Sequence, residues 1–130
     1  MSPQAESGAD RVLVYSFNRC STCRKAIAWL NDRRIPYTLI DITADPPGIE
    51  LLDRARQQLG GLSGLFNTSG QSYRSLGAAN VKAMDDTQAL EALAADGKLI
   101  KRPFVQTANG RFLIGFRPRE WEAELSCSFP

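Results

Sequence analysis

Two cysteines three positions apart, Cys20 and Cys23, sit in the stretch Arg19-Cys20-Ser21-Thr22-Cys23-Arg24-Lys25, with two hydroxyls between them and three cations around them. A disulfide across so short a loop removes little entropy from the unfolded chain, so a structural staple is a weak reason for the pair. Thiol chemistry is a better one. A cysteine attacks as its thiolate, and its ordinary pKa of about 8.5 falls at a helix N-terminus, where unpaired N–H groups and the macrodipole favour negative charge. Cys20 precedes an amphipathic run, Ala26 to Leu30, and so is placed for that effect. Ser21, Thr22 and the amides of residues 21–24 can wrap an anion, and Arg19, Arg24 and Lys25 raise the local potential. Cys23, one helical turn on, is within reach of Cys20 to resolve a mixed disulfide or close a reversible one. The competing reading is a plain helix start, with Ser and Thr as caps and the cysteines as small apolar fillers.

Metal binding is tested by counting. A structural zinc site wants about four Cys or His ligands, and the chain has three Cys and no His. No metal is expected. The third thiol, Cys127, lies near the C-terminus outside any motif and is expected to stay out of the exchange between Cys20 and Cys23.

The elements that must position these residues follow from periodicity. Residues 1–10 have linker composition and read as a disordered leader, and residues 11–130 as a single domain. Arg11 to Phe17 is β-branched and aromatic enough for a buried strand, Cys23 to Arg33 carries a helical pattern, and Pro36 ends it before a second strand over Tyr37 to Ile42. That is a βαβ unit with parallel strands and a right-handed crossover. A helical insertion over about 48–97 follows. It holds a helix in IELLDRARQQLG, a short one around Ser72 to Leu76, and a third in TQALEALAAD, capped by Asp85 or Asp86 and stopping at Gly97. The segment FVQTANGRFLIGF reads as a hairpin turning at Ala108-Asn109-Gly110, and Pro118 suits the first position of a last helix. The fold class is α/β: one mixed sheet with helices on its faces. A CxxC at the mouth of a βαβ helix reads as a thioredoxin-like redox motif.

Composition narrows the function classes. With 16 Lys+Arg against 14 Asp+Glu, the net charge of +2 leaves no basic run to track a phosphate backbone, so direct nucleic-acid binding is disfavoured. No apolar run approaches the roughly 18 residues that would span a bilayer, and the first ten residues lack the apolar centre of a signal peptide. A cytoplasmic monomer without a membrane partner is expected, in a reducing compartment that suits a reactive pair of thiols.

Four segments together resemble the ArsC/Spx/MgsR family, thioredoxin-fold relatives of the glutaredoxin-linked arsenate reductases. They are CSTCRKAIAWL at 20–30, FNTSGQSYRSLG at 66–77, the run from Asp96 to Pro103, and GFRPREWEAEL at 115–125, and the likeness spans about residues 11–125. The resemblance implies a thioredoxin-like fold with a four-stranded mixed sheet, and Cys20 as the reactive thiol. It further implies that Pro103 is a cis-proline bringing Arg102 to that thiol, and that Arg74, Arg102 and Arg117 bind an oxyanion together with Ser21 and Thr22.

The expected function is that of a thiol-dependent oxidoreductase resembling the arsenate reductases. Cys20 is its nucleophile on an oxyanion or disulfide, Cys23 is available as resolving thiol, and no cofactor is bound. Glutathione, glutaredoxin or thioredoxin is the expected reductant and partner. The alternative that the resemblance leaves open is a redox-sensing regulator like Spx or MgsR, which binds the C-terminal domain of the RNA polymerase α subunit. The CxxC pair is the hallmark of that branch, whereas the reductases with a single cysteine draw their second thiol from glutathione.

Overall fold

The computed structural model describes residues 12–126; the leader expected over 1–10 and Cys127 lie outside them. Four strands form one mixed sheet: β1 (Val12–Ser16), β2 (Tyr37–Asp41), β3 (Phe104–Gln106) and β4 (Phe112–Ile114), in the order β2-β1-β3-β4. The helices are α1 (Ser21–Asp32), α2 (Ile49–Leu59), α3 (Gln71–Leu76), α4 (Ala78–Ala83), α5 (Asp86–Ala95) and α6 (Pro118–Ser126). Short 3₁₀ turns occupy Ser63–Leu65 and Gly97–Leu99. No helix among the described residues is long and apolar enough to cross a membrane.

The chain divides into two compact units, one drawn from Met1–Ile40 with Arg102–Pro130 and the other from Asp41–Lys101. The insertion expected over about 48–97 falls within the second.

The first unit is organised by β1, whose Val12, Val14 and Ser16 are buried while the residues between them are half-buried. β1 pairs antiparallel with β3, setting Leu13 opposite Gln106, Val14 opposite Val105 and Tyr15 opposite Phe104. On one face Val12, Val14, Val105 and Leu113 pack with Ala26 and Leu30 of α1 and with Trp121 and Leu125 of α6. The period-3.6 spacing of Ala26 and Leu30 is what turns α1 onto the strands. Three aromatic rings lock this face edge to face: Trp121 lies 5.8 Å from Trp29 and 4.9 Å from Phe116. Each such pair adds about 0.5–1.5 kcal/mol beyond its buried area. Trp121 is fully buried, and its indole N–H donates to the Gly115 carbonyl at 3.1 Å, so no polar cost is left behind.

The second unit is helical. α2 packs on α5 through Leu52, Ala55, Ala89, Leu90 and Leu93, with Leu65, Leu99 and Ile100 also buried. Asp85 caps α5 in a full capping box: its side chain accepts from Gln88 N at 2.8 Å, and the Gln88 amide oxygen accepts from Asp85 N at 3.0 Å. Two elements depart from the sequence reading. α4 was not expected, because its six residues carry no apolar period and stand between Gly77 and Met84. Gly97 does more than stop α5. It opens the turn that follows, where Asp96 Oδ1 accepts from Lys98 N at 3.0 Å. A Cβ at Gly97 would overlap the Ile42 carbonyl oxygen, so close backbone approach fixes glycine there.

Candidate active site

α1 begins at Ser21, two residues earlier than its apolar pattern suggests, because Cys20 itself is the N-cap. Its backbone is extended (φ −97°, ψ 115°), and its sulfur accepts the Cys23 N–H at 3.2 Å, the place a serine or aspartate oxygen would ordinarily take. The Cys20 N–H donates to the Phe17 carbonyl at 3.0 Å, closing a turn over Asn18 and Arg19 that presents the sulfur to the first turn of the helix. Ser21 and Thr22 are exposed beside it, with the positive end of a twelve-residue helix behind them.

Cys20 is half-buried and Cys23 only 1% exposed; both are free thiols. Burial pushes the Cys20 thiol up, but it is outweighed. The Cys23 thiol and backbone N–H both hydrogen-bond to the Cys20 sulfur, and Arg102 adds a hydrogen bond and its charge, so Cys20 is held below its ordinary value. Burial and the bond to Cys20 push Cys23 up to about 12, against a bond from the Phe17 backbone and the charge of Arg102. The pair is therefore divided: Cys20 is the thiol that ionises first, and Cys23 holds its proton longer and donates it in a hydrogen bond.

Arg102 comes from the far side of the sheet sequence, directly ahead of β3, and its bond to Pro103 is cis. Pro103 is buried, and its carbonyl accepts from Gly115 N at 2.9 Å. The Arg102 guanidinium lies over the Phe17 ring, 5.2 Å from its centroid.

The structure thus brings Cys20, Cys23 and Arg102 together, with Ser21 and Thr22 adjoining. The other arginines make contacts of their own. Arg117 is exposed ahead of α6, with Nη1 3.7 Å from Glu120. Arg74 belongs to the helical unit, where its Nη1 donates to the Ser69 carbonyl at 3.1 Å. Arg24, one of the cations around the motif, gives Nη1 to the Asn18 carbonyl at 2.8 Å and so braces the loop. Sequence reasoning missed Phe17. The signal was present only in the strand register: continuing the pairing of Tyr15 with Phe104 by two residues sets Phe17 across from Arg102.

A model of the ArsC family matches residues 15–124. YusI of Bacillus subtilis is 38% identical over 113 residues, covering 83% of this chain and 92% of its own. The regulatory protein MgsR of the same organism is 28% identical over 111 residues, covering 85% and 86%. The crystal structure of a possible arsenate reductase from Streptococcus mutans UA159 superimposes with a TM-score of 0.79 at 38% identity, covering 88% of this chain and 98% of that one. The thioredoxin-like α/β architecture is common to both structures.

Proposed function

The chain belongs to the ArsC family, and from that premise we propose that it is a thiol-dependent oxidoreductase acting on a small tetrahedral oxyanion, arsenate in the first instance. One observation carries the reading: two thiols joined by a hydrogen bond are displaced in opposite directions, Cys20 toward the thiolate and Cys23 up to about 12.

The Cys20 thiolate attacks the arsenic of arsenate, a protonated oxygen leaves as water, and a sulfur–arsenic bond forms. Arg102 beside the sulfur meets the oxyanion with a planar, permanently charged fork, and the exposed amides of Ser21 and Thr22 offer donors at the helix start. Arg117, exposed ahead of α6 in the same unit, is a further candidate donor by family resemblance. A second thiol then attacks the Cys20 sulfur after losing its proton; it is Cys23 or glutathione. The sulfur–arsenic bond breaks with its electron pair on arsenic, which departs as arsenite. Two thiols have been oxidised to a disulfide and arsenic(V) reduced to arsenic(III). Glutathione with glutaredoxin, or thioredoxin, returns the disulfide to thiols in a reducing cytoplasm.

The relation to MgsR and the presence of the second thiol favour one other reading, a regulator whose Cys20–Cys23 state gates binding to the RNA polymerase α subunit. The two separate in one set of measurements. Arsenate-dependent NADPH oxidation, coupled through glutathione, glutaredoxin and glutathione reductase, is expected for the wild type. It should fall about 10²-fold or more in Arg102→Ala. Absent turnover, combined with redox-dependent retention on the immobilised α C-terminal domain, overturns the enzyme reading in favour of the regulator.

A further inference from the structure

Phe17 is the first residue past β1, a half-buried aromatic at the mouth of a site otherwise built from thiols, hydroxyls and cations. It touches Cys20, Cys23 and Arg102, each through a different group. Its carbonyl accepts the Cys20 N–H at 3.0 Å, its backbone hydrogen-bonds the Cys23 sulfur, and its ring lies 5.2 Å from Arg102 Cζ. The register of β1 on β3, continued two residues past Tyr15, is what sets the ring opposite Arg102.

The physical need for such a residue is specific. Arginine reaches a site on a long, rotamer-rich stem, and a hydrogen bond to sulfur is weak and poorly directional. A phenyl ring presents a negative face of the same planar shape as guanidinium, and a separation within about 6 Å of the centroid is attractive. An aliphatic side chain of similar bulk fills the space without that face.

We propose that Phe17 is a positioning residue: its ring is the platform that holds the Arg102 guanidinium on the Cys20 sulfur, and its peptide group fixes the two cysteines relative to each other. It acts through Arg102 and meets no reacting atom of the substrate. The inference rests on the reading of Cys20 as nucleophile and Arg102 as its cationic partner.

The test is the pH dependence of alkylation by iodoacetamide, resolved at Cys20 by peptide mass and requiring no turnover. Arg102→Ala should raise the Cys20 midpoint most, and Phe17→Leu should raise it by about half a pH unit. Phe17→Tyr keeps the aromatic face and should leave the midpoint in place. In Phe17→Leu/Arg102→Ala no rise beyond that of Arg102→Ala is expected, because the platform has nothing to hold. A Phe17→Leu shift of equal size with and without Arg102 means that the effect runs through the loop backbone and overturns the platform; so does a Phe17→Tyr shift as large as that of Phe17→Leu. Where Phe17→Leu fails to fold, Phe17→Tyr and Phe17→Trp carry the test alone, since a raised midpoint in either contradicts the proposal. An unmoved midpoint in Arg102→Ala would instead remove the arginine from the functional reading and the platform with it. A shift in Arg102→Ala beside a silent Phe17→Leu rejects the platform and leaves that reading intact.

Discussion

The two compact units differ in the polar contact that matters most to each. In the helical unit, apart from Asn67 Nδ2 on the Lys98 carbonyl at 3.4 Å and Arg56 beside Asp86 at 3.9 Å, the side-chain contacts are mostly local: Asp53 to Arg56 at 2.7 Å, Gln71 to Ser75 at 3.3 Å, Asn80 to the Leu76 carbonyl at 2.7 Å, and Arg74 to the Ser69 carbonyl at 3.1 Å. Each steadies its own helix or turn, and exposed contacts of this kind are worth a few tenths of a kcal/mol to about 1 kcal/mol. In the sheet unit, antiparallel pairing brings Arg102 to the end of β1, more than eighty positions earlier in the chain. Local bonds hold elements together. Only the register of non-local strands sets a cation on the Cys20 sulfur, and that is why the candidate site lies where the sheet is.

The sharpest way to separate the units is to remove the proposed nucleophile, Cys20. Burial is the largest cause that pushes Cys23 up, and it persists when Cys20 is removed, although the bond to Cys20 and its charge do not. Cys20→Ser should therefore lower alkylation of the pair at pH 7 by about 10-fold or more, and arsenate turnover with it. Mass-resolved labelling checks this, and rapid labelling of Cys23 in that variant breaks the division of roles.

Gly97→Ala strikes the other unit. The added methyl meets the Ile42 backbone carbonyl, which cannot move cheaply, and about 3 kcal/mol of stability should be lost in thermal denaturation. The Cys20 alkylation midpoint should not move. If it does, the two units share more than the comparison allows.

A subtler effect lies in pH. Cys20 is held below its ordinary value, so its contribution to stability is complete above the ordinary thiol range and is lost as pH falls through the lowered value. Cys23 has the opposite sign: its contribution is complete below the ordinary range and is lost as pH rises toward about 12. Melting temperatures across pH should show wild type gaining on Cys20→Ser with rising pH in neutral solution, and losing ground to Cys23→Ser in alkali. Parallel curves for the three proteins contradict both assignments.

The smallest effect concerns the end of α1. Arg34 has φ 55°, a left-handed backbone that costs a side chain about 1 kcal/mol, and its N–H closes the helix on the Asn31 carbonyl at 3.1 Å. Arg34→Gly should raise the urea midpoint by the equivalent of about 0.5 kcal/mol and leave the thiols alone.

What could be read beforehand follows the same division. β1, α1, β2, the hairpin and α6 announce themselves in alternation, in Pro36 and Pro118, and in Asn109-Gly110, because each depends on nearby residues. The position of Cys20 at the N-terminal mouth of α1 was legible from its place ahead of the helix, whereas its role as N-cap and the start at Ser21 depend on the sulfur accepting the Cys23 N–H. The approach of Arg102 to Cys20 was carried by family likeness alone, since no local pattern encodes which strands pair. The fates of Arg24 and Arg117 were equally hidden: a cation's position in the sequence does not reveal whether a carbonyl or a carboxylate nearby takes its donors. α4 left no periodic trace to read.

The aromatic trio of the sheet unit has an optical consequence. The chain has two tryptophans, Trp29 and Trp121, and both lie in that unit in edge-to-face contact. Indole fluorescence therefore reports on the thiol-bearing half alone, while far-ultraviolet ellipticity sums the helices of both. Followed in the two channels, one melt tests whether the halves unfold together: after Gly97→Ala, an ellipticity change at temperatures where the emission is still native separates them, and coincident traces mean one cooperative unit.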